Sequence, residues 1–336
     1  MAHWNQSFKV KDVEFKNRIV MAPMLPFGWC EPGGKMHARV KEHYLMRADQ
    51  GIGLLITQAF LVSPNYDVIS RAGAFDESHV ADIADIVSAC HKSGTKVIAQ
   101  LAYAGFDAGG GGGKDIHDLS DEQMAEMGDC FIRSAQLCKQ AGCDGIELHC
   151  AHGSFLNVVA SSANKRTGCY GGDRLGRLTL LREIVSGIRA FADEHFIIAA
   201  RMGWGDDIED DIARAAAMAD LGIELLHISG GIPAPRPLDI PEGFPYNEFV
   251  YTGAKVKEAT GLPVILVNDI RTLARGEALL AGGFGDMVAY GKPFLADKAF
   301  AARSAEEPDY FPCLTCKDCL WRKDGLLCPA RKKTDS

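Results

Sequence analysis

Residues 120–150 read SDEQMAEMGDCFIRSAQLCKQAGCDGIELHC. Ser120 is a helix-capping residue type, and the segment it opens, 121–140, reads as a helix. GIELHC (145–150) is a continuous apolar run, not an alternating one. Runs of that kind suit parallel strands covered on both faces. The same pairing recurs along most of the chain. Upstream lie RIVMAPM (18–24), GLLITQ (53–58) and KVIAQL (96–101); downstream lie FIIAARM (196–202), IELLHIS (223–229), PVILVN (263–268) and DMVAYG (286–291). Further helical segments are read at 77–93, 174–192, 209–221 and 271–281, the last with Asp269 as its cap. Eight strand-then-helix units predict an α/β fold, a (β/α)8 TIM barrel. The competitor, a doubly wound sheet, rarely needs eight such regular units. The barrel is expected over 1–303, with a short cysteine-rich C-terminal extension over 304–336.

The bulk numbers fit a globular chain. Its 336 residues are 47% hydrophobic and 24% charged, enough for a large core. A net charge of −8 argues against non-specific nucleic-acid binding. The start, MAHWNQSFKVKD, has no apolar segment of the kind signal peptides carry, and no apolar run reaches membrane-spanning length. Eleven cysteines in that setting suggest reduced thiols or metal ligands, and a cytoplasmic location is expected.

Four of those cysteines crowd the end of the chain as Cys313-x2-Cys316-x2-Cys319-x8-Cys328. Soft thiolates gathered this tightly suit an iron–sulfur cluster or zinc. Zinc sites more often use two separated pairs. Spacing alone leaves three readings: cluster, zinc, or thiols with no ligand.

A barrel places its chemistry just after the C-terminal ends of the strands. Those positions hold Pro23, Met24, Gln58, Gln100, His149, His152, Arg201, Ser229, Asn268, Gly291 and Lys292. The segment GGGGGK (109–114) reads either as a mobile lid or as a surface loop. It lacks the spacing of a phosphate-binding P-loop.

Several motifs, in order, carry a resemblance. KNRIVMAPM (16–24), AGCDGIELHCAHGSFLNVVASSANKRTGCYGG (141–172), GKPFLAD (291–297) and PCLTCKDC (312–319) with Cys328 resemble the old yellow enzyme family of FMN-dependent flavin oxidoreductases. More narrowly, they resemble the branch with bacterial 2,4-dienoyl-CoA reductase and trimethylamine dehydrogenase, whose members carry a [4Fe-4S] cluster. The larger members continue into FAD and NAD(P)H domains. No G-x-G-x-x-G follows a strand here, so no stable NAD domain is expected.

The resemblance implies an ene-reductase. Non-covalent FMN is expected against Pro23, Met24, Leu25, Gln58, Gln100 and Arg201, with its phosphate at Asn268, Gly291 and Lys292. Leu25 stands where relatives place a hydrogen-bonding Thr or Cys. Asp269 departs from the family too, and is expected to turn from the phosphate. His149 and His152 are expected to hold the carbonyl oxygen of an α,β-unsaturated substrate. Ser154 replaces the family's proton-donating Tyr, so Tyr103 is the first substitute donor and Tyr66 the second. Cys313, Cys316, Cys319 and Cys328 are the implied cluster ligands. Electrons are expected from NAD(P)H, or from an external carrier such as a flavodoxin or ferredoxin.

Phe27, Trp29, Tyr66, Tyr103, Phe106 and Trp204 suggest a small apolar or aromatic unsaturated substrate. A homo-oligomer is allowed. Three alternatives stand beside this reading: an amine dehydrogenase passing electrons out through the cluster, a non-redox barrel lyase with a zinc-stabilised tail, and an electron-transfer or scaffold subunit with a degenerate site, motivated by Ser154.

Overall fold

The computed structural model describes residues 2–26, 29, 31–64, 71–103, 115–205, 207–232 and 238–334. The apolar runs form eight strands: β1 (Ile19–Met21), β2 (Leu54–Ile56), β3 (Lys96–Ala102), β4 (Gly145–Cys150), β5 (Ile197–Trp204), β6 (Leu225–Gly230), β7 (Val264–Leu266) and β8 (Met287–Tyr290). Each pairs in parallel with the next. Strand β8 returns to β1, with Ala289 opposite Val20, and closes the ring. The fold is the expected TIM barrel. A two-residue strand, Phe60–Leu61, also pairs with β3.

The helices that follow the strands are α1 (Ala38–Leu45), α2 (Val80–Lys92), α3 (Asp121–Gln140), α4 (Thr179–Arg189), α5 (Ile208–Leu221), α6 (Glu248–Thr260), α7 (Leu273–Ala281) and α8 (Phe300–Glu306). Ser120 opens α3 in a reciprocal cap. Its hydroxyl accepts from the Gln123 backbone at 3.2 Å, and the Gln123 side chain accepts from the Ser120 backbone at 2.8 Å. Asp269 does not cap α7. Thr272 does, accepting from the Arg275 backbone at 3.2 Å. Asp269 sits at a left-handed φ of 53° and accepts from Arg271 Nε at 2.6 Å. The chain turns at Asn268–Asp269, both at positive φ, and two residues, Ile270 and Arg271, separate that turn from the cap. The expected helix over 174–192 is split into Arg174–Arg177 and α4 at Leu178.

Two cores result. One fills the space between strands and helices, with Leu148, Ile184, Ile228 and Phe294 among its members. The other lies inside the barrel. There Val20, Leu54, Ile98, Ile197 and Ile265 meet Val10, Val13 and Phe15 from an antiparallel N-terminal hairpin, Phe8–Val10 with Val13–Phe15. Apolar side chains thus fill that part of the interior, and the polar residues gather at the strands' C-terminal ends.

The tail folds back onto the loop that follows β1. Trp321 is buried, and its indole N–H donates to the Leu25 carbonyl at 2.9 Å. Trp29 returns the contact, donating to Asp324 Oδ1 at 2.8 Å. The two indoles meet edge to face with centroids 5.4 Å apart, beside the buried His43 ring. Trp321, Cys319 and Cys328 join the outer barrel core, so the extension shares that core. Among the described residues no helix is long and apolar enough to cross a membrane.

Candidate active site

The polar residues at the strand ends form a connected set. On β4, alternate residues point into the barrel. Glu147 pairs in register with Gln100 of β3, and His149 pairs with Arg201 of β5. The Glu147 carboxylate accepts from Gln100 Nε2 at 2.6 Å and pairs with His227 Nδ1 at 2.8 Å. Glu147 and His227 are both fully buried. Burial works to raise the Glu147 carboxyl, but His227, Arg201 and Gln100 outweigh it and hold it below its ordinary value. His227 is pushed down by burial, with Arg201 adding to the effect. It is therefore a neutral ring donating a hydrogen bond from Nδ1 to the Glu147 carboxylate.

Above this layer stand the two histidines. His149 ends β4, and the chain then turns at His152 and Gly153, both at positive φ (59° and 70°). The turn brings both rings to one side. His149 Nε2 lies 3.3 Å from His152 Nδ1, with the rings edge to face. His152 Nε2 lies 2.7 Å from the Ser229 hydroxyl, which also receives Arg201 Nη2 at 3.2 Å. Burial drives His149 well below its ordinary value, with His152 and Arg201 adding to it. His152 is also lowered, by loss of water around its ring and then by the Arg201 charge. Its outer side is exposed at the mouth. Both imidazoles are therefore uncharged donors near neutral pH.

The expected residues are placed as follows. Pro23, Met24 and Leu25 follow β1, half-buried. Gln58 is buried after β2; its backbone N–H donates to the Tyr44 hydroxyl at 2.6 Å. Asn268 is exposed after β7 at φ 86°. Gly291 opens a short helix, Lys292–Ala296, with Met24 Sδ 3.5 Å from where its Cβ would stand. Tyr103 is buried directly after β3, its ring 5.5 Å from Phe155. Ser154 donates its hydroxyl to the His149 carbonyl at 2.5 Å. Tyr66, Phe27, Phe106 and the segment 109–114 lie outside the described residues.

Sequence reasoning assigned no role to Glu147 or His227, and named Ser229 without one. A signal was present: a charged or ring-nitrogen residue in mid-strand within an apolar run, in phase with a site residue two positions on.

The residues present fit a flavin. Buried Gln58 Nε2 and Arg201 Nε have no partner among the described residues, and a flavin's pyrimidine ring presents the complementary atoms. A cavity of about 590 Å³ is lined by Met24, Leu25 and Lys292 on the barrel side and by Cys316, Cys319 and Trp321 on the tail side. The tail thiols are all free. Among the described residues no three His, Cys, Asp or Glu side chains are gathered as for a shared metal ion.

The model of the NADH:flavin oxidoreductase / NADH oxidase family matches residues 6–308. The chain belongs to that family. The assignment agrees with the old yellow enzyme resemblance, and makes the chain a flavin-dependent oxidoreductase with the family's FMN and NAD(P)H. A NADPH dehydrogenase of Halalkalibacterium halodurans is 31% identical over 325 residues, covering 90% of this chain and 93% of that protein. A NADH oxidase of Thermoanaerobacter brockii is 27% identical over 94% of this chain, which spans 53% of that longer protein. Among solved structures, a 2-naphthoyl-CoA reductase in complex with 2-naphthoyl-CoA superposes with a TM-score of 0.81 at 21% identity, covering 95% of this chain and 54% of that one. That likeness supports the fold.

Proposed function

We propose that this chain reduces an activated carbon–carbon double bond, conjugated to a carbonyl or thioester. The observation that carries the reading is the placement of His149 and His152 side by side at the barrel mouth, where burial holds both rings below the ordinary imidazole range. FMN, when bound and reduced, supplies the hydride. Gln58, Gln100 and Arg201 would hold its pyrimidine end; Pro23, Met24 and Leu25 would wall its ring. The backbone at Asn268 and Gly291, with Lys292, would hold its phosphate.

The histidines do the polarising. A neutral imidazole donates a hydrogen bond without giving up its proton. Two of them on one carbonyl oxygen draw electron density to that oxygen and leave the β-carbon open to hydride. The α-carbon then needs a proton. Ser154 is a poor source, because its hydroxyl is held on the His149 carbonyl. Tyr103 is assigned the role, being a phenol at the end of β3.

The tail is assigned a [4Fe-4S] cluster on Cys313, Cys316, Cys319 and Cys328. The motif and the docking of the tail beside the flavin-side residues Met24 and Leu25 support this. The cluster's chemistry would be one-electron exchange with an external carrier. Acid-labile sulfide and iron assays on anaerobically purified protein test it; zinc in their place contradicts it. For the main reading, photoreduced protein is mixed with enones and unsaturated thioesters. Flavin reoxidation with a saturated product supports it, and no reoxidation by any of them refutes it.

A further inference from the structure

The buried Ser229 hydroxyl stands between the histidine pair and Arg201, and those partners limit what its proton can do. Arg201 Nη2 is 3.2 Å from Oγ, and a guanidinium only donates. That uses one lone pair and leaves the hydroxyl proton free to turn toward His152 Nε2, 2.7 Å away. His149 is fixed from its other side. The Ala151 backbone N–H lies 3.3 Å from its Nδ1, so Nδ1 accepts and Nε2 carries the proton. That Nε2 faces His152 Nδ1 at 3.3 Å.

We propose that Ser229 is a positioning residue that, once an oxygen is bound, holds His152 in the Nδ1-protonated tautomer by donating to its Nε2, and so makes the pair a double donor. The inference rests on the reading that His149 and His152 hold a substrate oxygen. Two proton arrangements fit the same heavy-atom positions. In the first, His152 carries its proton on Nε2, donates to Ser229 Oγ and accepts from His149 at Nδ1. In the second, Ser229 donates to His152 Nε2, so His152 carries its proton on Nδ1. His149 Nε2–H and His152 Nδ1–H then both point into the space between the rings. Two donors face to face repel one another, but one oxygen with two lone pairs satisfies both. A carbonyl oxygen therefore favours the second arrangement. The net charge of neither ring changes between the two arrangements: Nε2 loses one proton and Nδ1 gains one, exchanged with solvent.

The test uses FMN-loaded protein labelled with ¹⁵N-histidine, and p-nitrophenol as an oxygen-bearing probe. With probe bound, wild-type His152 is expected to show a protonated Nδ1. Ser229→Ala should lose that signal and bind the probe about tenfold more weakly, the effect of one hydrogen bond to a charged group. Ser229→Thr, which keeps the hydroxyl, should retain both. If His149→Ala weakens probe binding but Ser229→Ala does not, the inference is overturned and the oxygen-binding reading stands. The same holds if bound wild-type His152 keeps its proton on Nε2. If neither variant alters binding, the oxygen-binding reading falls and this inference with it. Should Ser229→Ala fold poorly, seen as lost FMN, the wild-type signal and Ser229→Thr still decide.

Discussion

At the scale of single residues, the proposed chemistry turns on hydrogen-bond donors and proton sources. Replacing His149 with Ala removes one of two donors to the substrate oxygen. Flavin reoxidation by an enone should slow about a hundredfold, the usual cost of an oxyanion-type donor. A rate within twofold of wild type would remove His149 from the mechanism. Ser154→Ala should leave that rate nearly unchanged, since the hydroxyl is tied to the His149 carbonyl. It should instead cost about 1 kcal/mol of stability, read from denaturant melts. Tyr103→Phe should lower turnover about 10²-fold or more, as loss of a general acid does. Silence in Tyr103→Phe with a dead Ser154→Ala would reverse the assignment. His149, Gln100 and Arg201 were legible because barrel strand ends and a recognisable motif mark them. Glu147 and His227 were not, because a motif names a position and says nothing about what its neighbour two residues earlier supports. Their pairing appears only when β4 and β6 are brought into one barrel, either side of β5.

At the scale of elements, the tail is held by tight aromatic packing. A Cβ at Gly325 would stand 2.6 Å from the Trp321 ring and 2.7 Å from the Trp29 ring. Gly325→Ala must therefore push the indoles apart and loosen the tail. Limited proteolysis should cut the variant within 312–334 faster than wild type. Equal protection of the tail in both proteins would contradict the docking. The α3 cap was legible because Ser120 and Gln123 form a local motif that needs no tertiary information. The α7 cap was misplaced because Asp269 and Thr272 are both good caps, and only the backbone turn at Asn268–Asp269 chooses between them. The tail's docking was illegible for a related reason. Trp29 and Trp321 are almost the whole chain apart, and nothing local pairs them.

At the scale of the whole molecule, buried neutral histidines make stability depend on acid. His43 and His227 are buried, and burial lowers both, joined at His43 by the Arg47 and Arg331 charges. The unfolded chain takes up these protons as pH falls through about 6.5, while the folded form refuses them. Stability is thus fully present above that value and is lost as pH drops below it. Asp211, whose carboxyl burial raises to about 6, works in the opposite direction, but it is one group against several histidines. Denaturant midpoints should fall between pH 7 and pH 5; a constant or rising midpoint would contradict the burial of these rings. The eight-fold repeat was legible because buried parallel strands must be continuously apolar. The site as a whole was legible only in outline, since it is assembled from the ends of different strands.

The most direct test of the central claim is anaerobic single-turnover reoxidation. Photoreduced FMN-loaded protein is mixed with an α,β-unsaturated ketone or thioester while flavin absorbance is followed and products are identified. The account predicts return of the oxidised flavin spectrum with one saturated product per flavin, and about a hundredfold slower return in His149→Ala. A reduced flavin that stays reduced with every unsaturated carbonyl tried, yet is reoxidised by a one-electron acceptor, would contradict it.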